Sequence, residues 1–172
     1  NISERVVDDI KGRLSKGTFV SIAAASFSIY AYEALKEELE QVEQLRFIFT
    51  SPTFIKDKSK KEKREFFIPK LNRERNLYGT DFELRLRNQL SQKAIAKECA
   101  DWIRRKVQFR SNASQEQMGG FMHVNNETQR VYLPFNEFTT TQLGCERGAN
   151  VYNVVNVLPS PTANAYLEIF NE

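Results

Sequence analysis

Apolar positions along the first third of the chain alternate between a helical and a strand-like spacing. Residues 3–16, SERVVDDIKGRLSK, put Val6, Val7, Ile10 and Leu14 on one helical face, and Gly17 follows as a stop. The run 18–29, TFVSIAAASFSI, is small and apolar throughout, which suits a central strand covered on both faces. Its close, Ala24 to Ser28, keeps side chains small where something packs near the backbone. YAYEALKEELEQVEQ, 30–44, turns Leu35, Leu39 and Val42 inward beneath a Glu/Lys exterior and predicts a helix. LRFIFTSP, 45–52, predicts a second buried strand stopped by Pro52. Strand, helix, strand in this order predicts a right-handed crossover and an α/β fold.

The pattern breaks over 53–80 and resumes at 81–106, where Leu84, Leu86, Leu90, Ala94, Ile95, Ala100, Trp102 and Ile103 form the buried stripe of a long helix. Trp102 reads as core, and Arg104, Arg105 and Lys106 suit the negative end of the helix dipole. VQFRSN, 107–112, predicts a short strand, and a polar loop follows to residue 118. Beyond Gly119-Gly120, Phe121, His123 and Asn125 alternate with Met122 and Val124 as in a strand. RVYLPF, 130–135, pairs with it as a hairpin that turns through 125–129. VYNVVNVL, 151–158, adds a strand, and Pro159-Ser160-Pro161 opens a last helix through Leu167, Ile169 and Phe170. The expectation is one domain over 1–172 with about six strands and four helices in layers.

Composition narrows the class. An apolar fraction of 41% and an aromatic fraction of 12% exclude a mainly disordered chain. A net charge of +3 permits a nucleic-acid partner without requiring one. The two cysteines, Cys99 and Cys145, show no pairing pattern, which favours a reducing, cytoplasmic setting. No apolar run approaches the ~20 residues of a membrane span, so no membrane partner is expected. The chain starts at Asn1 and stops at Glu172 inside a helical pattern, and is expected to be one piece of a larger protein.

Two stretches carry candidate chemistry. Between Lys56 and Arg75 stand nine basic residues (Lys56, Lys58, Lys60, Lys61, Lys63, Arg64, Lys70, Arg73 and Arg75) against four acidic ones (Asp57, Glu62, Glu65 and Glu74). This is a solvated loop, or else a phosphate-facing surface that binds by counterion release, with Phe66, Phe67 and Tyr78 near enough to stack. The second stretch holds His123, the single histidine, whose imidazole can act near neutral pH as nucleophile, acid or base. No carboxylate or second histidine stands in a readable relation to it, so taken alone it reads as structural. It has no ligand set for a metal, and no cofactor is expected.

Several strings together resemble a known family. FVSIAAASFSIYAYEAL, then LRFIFTSPTF, then GGFMH followed by FTTTQLG and NVVN before the closing helix, are similar to the phospholipase D-like domain. That domain occurs at the N-terminus of bacterial Swi/Snf-type helicases and in some restriction nucleases. The resemblance spans nearly the whole chain and implies an α/β fold with a mixed β-sheet flanked by helices. It also implies that the chain is an N-terminal fragment of an ATP-dependent DNA helicase, whose remaining domains would be its partners.

The superfamily signature is His-x-Lys, four residues, then Asp, followed by a Gly/Ser-rich Asn string. Its histidine attacks phosphorus, and a second copy of the motif, in the same chain or a symmetry mate, supplies the acid without a metal. By this resemblance His123 matches the nucleophile, Asn125 stands where Lys is expected, Arg130 where Asp is expected, and Glu137 near the Asn. His123, Asn125 and Thr139 would line a residual phosphate-sized pocket. Asn125 lacks the charge to steady a pentacovalent transition state, and Glu137 repels phosphate unless protonated. The expected function is therefore a non-catalytic or weakly catalytic accessory module of a DNA helicase, with 56–75 as the main phosphate surface. Two alternatives stand beside it. One is a homodimeric phosphodiesterase or nuclease in which Arg130 or the basic segment replaces the missing Lys. The other is a pure protein-interaction module.

Overall fold

The protein is seen here in a computed structural model that describes residues 4–50, 92–112, 117–145 and 154–172. The apolar run at 18–29 supplies β1 (Phe19–Ala24), which lies in the interior of a six-stranded mixed sheet. On one side β2 (Gln44–Phe49) runs parallel to β1, and β3 (Val107–Ser111) runs parallel to β2. On the other side β4 (Phe121–Asn125), β5 (Gln129–Leu133) and β6 (Asn156–Pro159) continue the sheet, each antiparallel to its inner neighbour. The order is β3-β2-β1-β4-β5-β6. The predicted α/β class and hairpin are both present, and the strands match the expected six in number among the described residues.

Strand and helix ends differ from expectation for local reasons. β1 stops at Ala24, not residue 29, because the backbone beyond it bends to pair with the segment after β5. Ala25 N donates to Asn136 O, Phe138 N to Ser26 O, and Ser28 N to Phe138 O, all at 2.8 or 2.9 Å. The Ser28 hydroxyl then accepts from Tyr30 N at 3.1 Å, a side-chain cap that starts a helix. The single helix predicted at 30–44 is two short ones, α2 (Ile29–Ala34) and α3 (Lys36–Leu39), broken at Leu35 with φ −118° and ψ 13°. Past α3, Glu43 N donates to Thr18 O at 2.8 Å and brings the chain into β2.

The other helices are α1 (Val6–Arg13), α4 (Gln92–Lys106) and α5 (Thr162–Asn171), making five among the described residues. Positions 81–91 of the predicted long helix, residues 151–153 of the predicted last strand, and Pro52 lie outside the described residues. So does the whole basic segment 56–75. No helix among the described residues is long and apolar enough to cross a membrane, and both cysteines are free.

Alternation along the strands divides the core into two layers. Val20, Ile22, Leu45, Phe47, Met122 and Val124 point to one face and pack with apolar residues of the first four helices. Trp102 of α4 is fully buried there, with its indole N–H donating to Leu39 O at 3.1 Å and its ring 5.0 Å from that of Tyr32. The other face is smaller, built on Ala23, Phe121 and Val131 and covered by Ala163 and Phe170 of α5. His123 belongs to this second, more thinly covered face.

Candidate anion site beside His123

His123 is the middle residue of β4, and its register partners are Ser21 on β1 and Val131 on β5. Partners in register share a face, so His123 sits with Ser21 on the α5 side of the sheet. The cover given by α5 leaves a pocket of about 260 Å³ lined by Phe19, Val20, Ser21, Gln44, Arg46, His123, Asn125 and Leu167.

The imidazole is fully enclosed, with 0% exposure. Its Nε2–H donates to Gln129 Oε1 at 3.1 Å, and Nδ1 has no hydrogen-bond partner among the described residues. Burial lowers the pKa of His123, and the charge on Arg46 acts in the same direction against the Gln129 hydrogen bond. The ring is therefore a neutral base. Gln129 is an amide and cannot carry a proton onward, so no relay of the kind that activates a nucleophile starts here.

Arg46 is the more unusual group. One guanidinium nitrogen, Nη1, donates to Asn171 Oδ1 at 2.7 Å, the other, Nη2, donates to Ser21 Oγ at 2.9 Å, and the guanidinium carbon lies 4.8 Å from the centroid of the Phe170 ring. All three contacts are with neutral groups. Elsewhere Arg5, Lys11, Arg13, Lys36, Arg104 and Arg105 each meet a carboxylate. Among the described residues Arg46 meets none, which is true also of Lys16, Lys97, Lys106, Arg110 and Arg130, but of these Arg46 alone lines the pocket. Burial, and then the charge of Arg110, lower its pKa. The β2–β3 register pairs Ile48 with Arg110, which places Arg110 on the same face one strand outward, exposed. A partly desolvated guanidinium with spare N–H donors and no counter-charge is suited to take up an oxyanion.

Of the residues singled out from sequence, the structure brings His123 and Asn125 together at this pocket. Arg130 is elsewhere. It pairs in register with Val124 and Pro159, so it projects from the opposite face, where its guanidinium donates to Gln129 O at 2.9 Å and its charge helps lower the pKa of Asp9. Glu137 is exposed, and Thr139 uses its hydroxyl to accept from Gln142 N at 3.2 Å. Both flank Phe138, which bridges to Phe27 beyond the far end of β1, whereas the pocket lies at the Phe19 end. Lys56, Lys58, Lys60, Lys61, Lys63, Arg64, Lys70, Arg73 and Arg75 lie outside the described residues. No group of three or more metal-ligating side chains occurs among the described residues.

Arg46, Ser21 and Phe19 belong to no motif legible in the sequence. The usable signal was an arginine inside the apolar strand LRFIF, since a cation in a buried strand has to be accounted for. No protein-family model matches this chain, and no curated protein matches it.

Proposed function

We propose that this chain is a phosphate-binding, non-hydrolytic domain on a phospholipase D-like scaffold, serving as an accessory module that holds a DNA-acting helicase to nucleic acid. One observation carries the reading: Arg46, a cation without a carboxylate partner among the described residues, lines a pocket beside an enclosed, neutral His123. The arginine can hold a phosphate oxygen pair, while the histidine is sealed from solvent and bonded only to an amide. That combination favours binding over bond cleavage. The six-stranded mixed sheet with helices on its faces agrees with the scaffold at the level of layers. A hydrolytic site with Arg130 as the clamp for His123 would need both on one face, and their strand positions put them on opposite faces. On this reading the partners are DNA and the remaining helicase domains.

The test is binding of labelled DNA across a salt series by the wild-type chain, Arg46→Gln and His123→Ala, with cleavage products assayed in parallel. Affinity should fall with salt, drop in Arg46→Gln, and be accompanied by no cleavage. Cleavage abolished by His123→Ala would restore the enzyme, and no binding at all would leave a protein-interaction role.

A further inference from the structure

We infer that the pocket receives one nucleotide of single-stranded nucleic acid, with the phosphate on Arg46 and the base on the ring of Phe19; this rests on the phosphate-binding reading above. Phe19 opens β1 and is 47% exposed, while the other five residues of that strand are buried. What sets this ring apart is its place, half in solvent at the rim of the pocket that Arg46 also lines. Its register partners are Gln44 on β2 and Asn125 on β4, and both amides line the same pocket. Phe19, Ser21, Gln44 and Arg46 share one face by strand alternation, so aromatic ring, amide edges and guanidinium form a continuous surface.

Those groups match the parts of a nucleotide. An aromatic face stacks a base of any identity, the amides can meet the base edge, and the guanidinium takes the phosphate. In a duplex the base faces are already stacked and the pairing edges used, so this surface selects the single strand. At about 260 Å³ the pocket has no room for a second such unit, and the base lies at its rim on the half-exposed ring of Phe19. A second phosphate has a place as well, since β3 is an edge strand and Arg110 stands exposed on it one strand beyond Arg46.

The experiment is fluorescence anisotropy of labelled oligo-dT and of a blunt duplex of equal length, with the 172-residue chain as wild type, Phe19→Ala, Phe19→Trp and Arg46→Gln. Phe19 is half in solvent, so its replacement leaves the fold intact, and circular dichroism verifies this. Wild type should prefer oligo-dT, Phe19→Ala should weaken oligo-dT binding by roughly 5- to 150-fold while leaving the duplex unchanged, and Phe19→Trp should restore it. Arg46→Gln should weaken both. If Phe19→Ala binds oligo-dT as wild type does while Arg46→Gln does not, the base platform is wrong and the phosphate site stands. Duplex bound as tightly as single strand overturns the same inference. Wild type that binds neither DNA overturns the function proposed above along with it.

Discussion

His123 Nε2–H and Gln129 Oε1 are joined by a 3.1 Å hydrogen bond between adjacent strands, while the other ring nitrogen, Nδ1, is buried without a partner among the described residues. The bond fixes the tautomer, and the bare nitrogen marks where a proton would add. That proton would put a second positive charge beside Arg46 in a desolvated place. The folded-state pKa thus lies below the usual value near 6.5. Because the unfolded chain takes the proton first, the contribution of His123 to stability is complete above about pH 6.5 and is lost as the pH falls through the folded-state pKa. Urea unfolding at pH 7.5 and 5.5 should show a smaller drop for His123→Gln than for wild type. Equal drops would place the pH dependence in other groups.

Arg46 should respond to small anions. Inorganic phosphate bound to the folded chain alone raises the melting temperature by mass action, and the rise should exceed that from chloride at matched ionic strength. Arg46→Gln should abolish the difference. A variant that still gains from phosphate would exclude this guanidinium as the anion site.

Gly120 is confined by neighbouring backbone. A Cβ built there would sit 2.4 Å from Phe135 O and 2.6 Å from Asn136 Cα, and a 2.9 Å bond from Phe135 N to Gly120 O holds the two segments together. Main-chain atoms held by their own hydrogen bond cannot swing aside as a side chain could. Gly120→Ala should therefore destabilise by about 1–3 kcal/mol, read from denaturant midpoints. Gly119→Ala is the control, since nothing lies within 4 Å of its added carbon. Equal stabilities for the two variants would contradict the packing described here.

Tyr132 ties β5 to α1, its hydroxyl donating to Asp9 Oδ2 at 2.6 Å on the face away from the pocket. Burial pushes the Asp9 carboxyl up, yet hydrogen bonds from Arg13 and Tyr132, helped by the charges of Arg13 and Arg130, bring it below its usual range. Tyr132→Phe removes one bond to a charged acceptor and should cost about 1.5–3 kcal/mol at neutral pH. It should also raise the Asp9 pKa, which carboxyl-selective NMR titration would detect. An unchanged titration would mean that Arg13 and Arg130 set the carboxylate without Tyr132.

The layers were readable because long apolar runs leave little choice. TFVSIAAASFSI carries no charge, and Phe19 to Ala24 of it form the interior strand β1, while the rest leaves the strand to pair with the segment after β5. The break at Leu35 was hidden because Leu35 is itself fully buried and fits the apolar stripe of an unbroken helix. The site was harder to read because faces depend on register. His123 pairs with Val131, so Arg130, one residue earlier, lands on the opposite side of the sheet. Glu137 and Thr139 are near His123 in sequence, but the chain carries them past the other end of β1. Arg46 was masked by its neighbours, since the apolar residues around it made the strand look uniformly buried.

Asn171 belongs to the last turn of α5, and Phe170 beside it helps cover the second face of the sheet. Through Arg46 both are fastened to β2, by one hydrogen bond and one stacked ring. One side chain is thus both the cation of the pocket and the fastening of the final turn, so Arg46→Gln removes the two together.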